Sequence, residues 1–150
     1  MDIKKNASFT VDHTKFGEGL YISRIDGDIT TYDMRTRRPN SGDFMDNITM
    51  HTFEHMFSTY IRNCQLDVIY FGPMGCQTGF YLLVRNADNG KVLAEIISAL
   101  ENIIAHTGEV FGASEIECGN YKTLDLFAAK SEAQKYLDIL SQKEIDYKYF

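Results

Sequence analysis

The chain reads as an α+β domain, an antiparallel sheet covered on one face by helices in two layers. Two observations predict this. Strand-like segments come in adjacent pairs closed by tight turns, the pattern of antiparallel pairing. Three longer segments with apolar residues at helical spacing lie between and after those pairs, without strict alternation of strand and helix. No repeat, low-complexity tract or Pro/Gly/Ser linker interrupts the 150 residues, and the only prolines, Pro39 and Pro73, stand in short turn-like contexts. Residues 1–150 therefore read as a single domain.

The elements follow in order. "GLYISRIDGDITTYDMRT" predicts two strands joined at Asp26-Gly27, since Asp-Gly takes the positive φ of a tight hairpin turn. Over about 46–63, Met50, Phe53, Phe57 and Ile61 recur at helical spacing, with Asp43 or Asp46 placed to cap the first amides. "LDVIYF", "GPMG" and "CQTGFYLLV" predict strand, tight turn and strand, the last closed by Asp88-Asn89-Gly90. "KVLAEIISALENIIAH" carries Val92, Ile96, Leu100 and Ile103 along one stripe, and Gly108 stops it. After the Gly-containing loop "TGEVFGASEIECGN", a third helix is expected over about 124–142, with Leu124, Phe127, Leu137 and Leu140 as its apolar positions.

Composition narrows the function. A content of 44% hydrophobic and 24% charged residues suits a globular chain with a sizeable core. The net charge of −6, with no block of Lys or Arg, argues against nucleic acid or an anionic membrane as partner, since both demand concentrated positive charge. A small-molecule partner fits better. The start "MDIKKNASFTVDHTKFGEG" has charges every few residues and no apolar h-region, and nowhere do 18 apolar residues run together, so a cytoplasmic location is expected. The three cysteines, Cys64, Cys76 and Cys118, are odd in number and widely spaced, unlike a secreted disulfide framework. They read as thiols or metal ligands, and the two glycosylation sequons at Asn6 and Asn47 are set aside on the same ground.

"HTFEHMFSTYIRN" is the segment that carries chemistry. At 3.6 residues per turn His51 and His55 stack on one helical face, the geometry by which two imidazoles share a metal. Glu54 falls beside them, and Arg62 lies toward the far end of the same helix. Two histidines leave a metal short of ligands, because a catalytic site takes three protein ligands and keeps one position open. Cys76 in "PMGCQTG" and Cys118 in "IECGN" each sit beside glycine in a turn-like setting, and spacing alone does not choose between them. Cys64 in "RNCQLD" lacks such a context and reads as a small buried hydrophobe.

Five blocks in order, "SFTVDHT", "YDMRTRRPN", "HTFEHMFSTYIRN", "GPMGCQTGFY" and "ECGNYKTLDL", give the chain a resemblance to the S-ribosylhomocysteine lyase family over nearly all its length. The resemblance implies His51, His55 and Cys118 as metal ligands and a homodimer whose two active sites lie at the interface. An N₂S donor set accepts Fe(II), Zn(II) or Co(II), and the resemblance favours iron. The implied substrate is S-ribosylhomocysteine, cleaved to homocysteine and 4,5-dihydroxy-2,3-pentanedione, the autoinducer-2 precursor, by carbonyl migration through enediolates and β-elimination. The implied base at carbon is Cys76, Glu54 carries protons between oxygens, and Ser8, His13, Arg35 and Arg62 surround the substrate. An arginine fork suits an amino-acid carboxylate. Tyr70 and Gly72 depart from the family pattern, which has Asp and Ser there in many members, leaving recognition of the substrate amine open.

Two other classes compete on the residues alone. His-x-x-Glu-His is also the inverted motif of zinc peptidases, with Glu115 or Glu117 as a nominal third ligand. That reading gives Cys76 no role. A non-catalytic metal-stabilised interaction module would need a closed set of four protein ligands.

Overall fold

Side-chain alternation along 19–35 folds the chain back on itself. In the computed structural model, which describes residues 1–150, β1 (Gly19–Asp26) pairs antiparallel with β2 (Ile29–Arg35). The ladder sets Asp26 opposite Ile29, so the turn is Gly27-Asp28, one residue later than expected. Helix α1 (Asn47–Arg62) leads to β3 (Asp67–Pro73), which pairs antiparallel with β4 (Gly79–Arg85). β4 also pairs antiparallel with β2, giving the order β1-β2-β4-β3. Helices α2 (Asn89–Ala105) and α3 (Leu126–Ser141) complete the fold. No helix is long and apolar enough to cross a membrane.

Each helix starts on an aspartate. The Asp46 carboxylate accepts the Thr49 N–H at 2.7 Å and opens α1, while Asp43 instead pairs with Arg37 at 3.2 Å. Asp88 accepts the Lys91 N–H at 3.1 Å, so Asp88-Asn89-Gly90 opens α2 and does not close β4, which ends at Arg85. α2 stops at Ala105, short of Gly108, because His106 turns extended and gives its N–H to the Ile103 carbonyl. Asp125 caps α3 through the Phe127 N–H at 3.0 Å, leaving Leu124 before the helix. The face α3 buries is Ala129, Glu132, Ala133, Tyr136 and Leu140, whereas Phe127 is 77% exposed. Alanines serve there because α3 packs on both α1 and α2, and small side chains let the axes approach.

The core lies between sheet and helices. Tyr32, Met34, Phe80, Leu82 and Val84 from the sheet meet Phe53, Met56, Phe57 and Ile61 of α1. Phe53, Phe57, Phe71 and Phe80 form a run of rings with centroids 4.6–5.5 Å apart. Burying this stripe turns the flank bearing His51, Glu54 and His55 to a partly exposed edge. Arg37, just after β2, ties the sheet to α3 by a two-pronged pair with Glu132 at 2.6 and 2.7 Å. The opposite face of the sheet is partly covered: Asp33 and Arg35 are buried there under residues of both chain ends, including Phe16 and Tyr149.

Candidate active site

His51 and His55 project one turn apart from α1, their rings perpendicular and 4.6 Å between centroids. The loop after α2 brings Cys118 to them, folded inward by its N–H to the Ser114 carbonyl at 3.0 Å. Cys118 Sγ lies 3.5 Å from His51 Nε2, and one donor atom from each of the three residues falls within 4.8 Å of the others. Glu54 Oε2 stands 3.8 Å from His55 Nε2. The third group of the cluster is thus a thiol, while Glu115 and Glu117 are exposed and Glu117 accepts the Ser114 hydroxyl at 2.6 Å.

The donors are prepared for a divalent cation. His55 Nδ1–H donates to the Phe111 carbonyl at 2.8 Å, which leaves Nε2 as a lone-pair donor. Burial, then the neighbouring His55, lowers the His51 pKa and keeps its imidazole neutral. The Asn120 N–H donates to Cys118 Sγ at 3.4 Å and orients the sulfur. An N₂S set of this kind fits a divalent metal.

The loop behind His55 is itself clasped. Gly112 sits at φ +70, and a Cβ there would lie 3.1 Å from His55 Nδ1, so only glycine allows this approach. His106 accepts the Tyr60 hydroxyl on Nδ1 at 2.8 Å and donates from Nε2 to the Glu109 carbonyl at 2.8 Å. Phe111 packs edge-on against both rings. The loop carrying the Phe111 carbonyl is therefore fastened to α1 at Tyr60 as well as at His55. His106→Ala is expected to weaken metal binding about tenfold, read by competition with a chromophoric chelator, with the melting temperature of metal-free protein little changed. Unchanged affinity would contradict this role.

A second group forms elsewhere. A cavity of about 700 Å³ is lined by Ser8, His13, Arg35, Cys76, Thr78 and Tyr81, among others. Cys76 is exposed on the turn between β3 and β4. That turn is held by Gln77, at φ 63, whose carbonyl accepts the Met45 N–H at 2.9 Å and whose amide donates to the Met45 carbonyl at 2.6 Å. Gly79 follows because a Cβ there would lie 2.6 Å from the Met34 carbonyl oxygen of β2. His13 donates Nδ1–H to the Val11 carbonyl at 2.8 Å, leaving Nε2 free to accept.

Arg35 lines the same cavity, with most of its fork already engaged, Nε and Nη2 donating to Asp33 at 3.1 and 2.6 Å. Nη1 alone faces the turn, donating to Thr78 Oγ1 at 2.9 Å and lying 3.9 Å from Cys76 Sγ. The chain thus gathers His51, Glu54, His55 and Cys118 in one place and Ser8, His13, Arg35 and Cys76 in another. Arg62 joins neither: it is exposed at the end of α1, about 16 Å along the axis from His51.

The departures Tyr70 and Gly72 are one feature. The phenol of Tyr70 folds back over Gly72, where any Cβ would collide with it, so a side chain at 72 requires the Tyr70 ring to move. Sequence reading missed Asp33, Thr78, His106 and Phe111. Asp33 and Arg35 share one face of β2 by period two, a signal available in "TYDMR"; the loop residues had none.

The family model described as "S-Ribosylhomocysteinase (LuxS)" matches residues 6–146. An S-ribosylhomocysteine lyase of Desulfotalea psychrophila is 41% identical, covering 97% of this chain and 99% of the relative. One from Borreliella burgdorferi is 44% identical over 98% and 99%, and one from Finegoldia magna 38% identical over 93% of each.

Proposed function

This chain belongs to the S-ribosylhomocysteinase family, and from that premise we infer that it cleaves S-ribosylhomocysteine to homocysteine and 4,5-dihydroxy-2,3-pentanedione. The observation that carries the reading is the trio His51, His55 and Cys118 with Glu54 at its edge, its His55 tautomer fixed by the Phe111 carbonyl. These three side chains would hold one divalent metal, Fe(II) by family likeness, with Zn(II) or Co(II) accepted by the same donors. When bound, the metal supplies Lewis acidity that lowers the cost of negative charge on sugar oxygens.

The chain's own groups do the rest. Cys76, as thiolate, removes a proton from the carbon next to the sugar carbonyl and returns it to the neighbouring carbon, so the carbonyl migrates along the chain. Glu54 moves protons between the oxygens, and once the carbonyl stands β to the thioether carbon, proton loss expels homocysteine as its thiolate. Ser8 and His13 Nε2 offer polar contacts to substrate in the cavity, and Arg35 acts through Nη1 on the Cys76 turn. Arg62 is proposed to meet the amino-acid end of the substrate only in the assembled protein.

A homodimer completes this scheme. The metal trio does not line the Cys76 cavity, so one site needs the trio of one copy and the cavity of another. Phe9 and Phe44, 70% and 57% exposed, stand on the cavity wall and suit cover by a second copy. A cytoplasmic location is proposed on the free cysteines.

The test is release of free homocysteine thiol from S-ribosylhomocysteine by anaerobically prepared, Fe(II)-loaded protein. Release that stops on chelation and returns with Fe(II) is expected. No release from folded, metal-loaded protein would remove the lyase reading and return a metal-stabilised interaction module to the front.

A further inference from the structure

The last residues of the chain reach the thiol's surroundings from the far side of the sheet. Tyr147 accepts the Ile22 N–H on its carbonyl at 2.9 Å and donates its hydroxyl to the Asn89 carbonyl at 3.0 Å. These two bonds pin the tail beside β1 and turn Tyr149 inward. Its ring stacks on Tyr21 at 4.9 Å and packs against Phe16 at 4.7 Å. Its hydroxyl donates to Asp33 Oδ2 at 2.8 Å. Tyr149 lies beyond residue 146, where the family match ends.

Asp33 is fully buried and holds Arg35 with both oxygens, so the Tyr149 hydroxyl is the donor that completes its carboxylate. Held this way, Arg35 keeps Nη1 on Thr78 Oγ1 at 2.9 Å. A guanidinium only donates, so the Thr78 oxygen is the acceptor there and its own proton is free. Cys76 Sγ lies 2.9 Å from that oxygen. The contacts run unbroken from Tyr149 through Asp33, Arg35 and Thr78 to the sulfur.

We propose that Tyr149 is a positioning residue for Cys76: its hydroxyl locks Asp33, Asp33 locks the Arg35 fork, and the Thr78 hydroxyl is thereby aimed at the thiolate. The proposal rests on the reading of Cys76 as the base. Tyr149 suits the task because burial, then the Asp33 carboxylate, push its phenol well above the ordinary range, so it remains a protonated donor at neutral and mildly alkaline pH. The titratable and charged groups around Cys76 are Arg35 and Asp33 of β2, Tyr81 of β4, His13 and Asp43 of the flanking loops, and Tyr149 of the tail. Of these, Tyr149 is the uncharged group that does not line the cavity, so its hydroxyl can be removed without taking away a charge or a lining side chain.

Tyr149→Phe keeps the ring stack and deletes only the hydroxyl. In the metal-loaded protein, iodoacetamide labelling of Cys76, followed by peptide mass, is measured at about pH 7 and about pH 9.5. The neutral rate is expected to fall about threefold while the alkaline rate stays at the parent's value, because only the neutral rate depends on what holds the thiolate. Lyase kcat should fall by a similar factor with KM unchanged, and Thr78→Val should reproduce both effects where Thr78→Ser does not. A variant with the parent's neutral rate and kcat overturns the proposal, and so does an equal loss at both pH values, the mark of loosened packing. Labelling does not depend on turnover: if the parent releases no homocysteine yet Tyr149→Phe slows neutral labelling, the lyase reading fails and the relay stands.

Discussion

Cys76→Ala is expected to abolish homocysteine release, a loss of roughly 10²–10⁴-fold in turnover, while the protein keeps its metal. The sulfur stands on the turn between β3 and β4, apart from His51, His55 and Cys118, so its removal takes the proposed base and spares the three side chains that could hold the metal. The backbone of the turn is fastened by Gln77 to Met45, not by the thiol, so its shape survives the change. Turnover and metal content measured on one preparation separate the two effects. Turnover within tenfold of the parent would show that another group takes the carbon-bound proton.

The largest expected effect on stability is Glu132→Ala. Glu132 is 2% exposed and receives both outer nitrogens of Arg37, whose side chain is itself 9% exposed. Removing one partner of a buried pair leaves the other charge desolvated and unmatched, a cost of about 3–5 kcal/mol. Arg37 keeps only its 3.2 Å contact to exposed Asp43 and its donation to the Thr36 carbonyl, neither of which offsets that loss. Urea unfolding should show the midpoint falling with an unchanged slope. A loss under about 1 kcal/mol would mean that Arg37 finds water once Glu132 is gone.

Both predictions depend on features that the sequence shows unevenly. The two strand pairs, the first helix and the His51/His55 stack are legible because they rest on local spacing: period two, period 3.6 and an aspartate before each helix. The face of α3 is not, because its inward residues Ala129 and Ala133 carry little hydrophobic signal while the conspicuous Phe127 faces out. Arg35 shows the same limit within the site. An arginine in "MRTRR" looks available for a ligand, and only the fold shows that Asp33 engages most of its fork. Tyr149 meets Asp33 across 116 positions of chain, a pairing that no local pattern encodes.

Joining the two separate groups of residues into one lyase site is the claim on which the rest depends. Co-expressed Cys76→Ala and Glu54→Gln chains carrying different affinity tags allow the mixed dimer to be isolated. If each site takes the metal trio and Glu54 from one copy and Cys76 from the other, one of the two sites in that dimer is fully intact and the other lacks both groups. About half of the parent's homocysteine release per dimer is then expected, from two variants inactive alone. Release no greater than that of the separate variants would contradict the shared site.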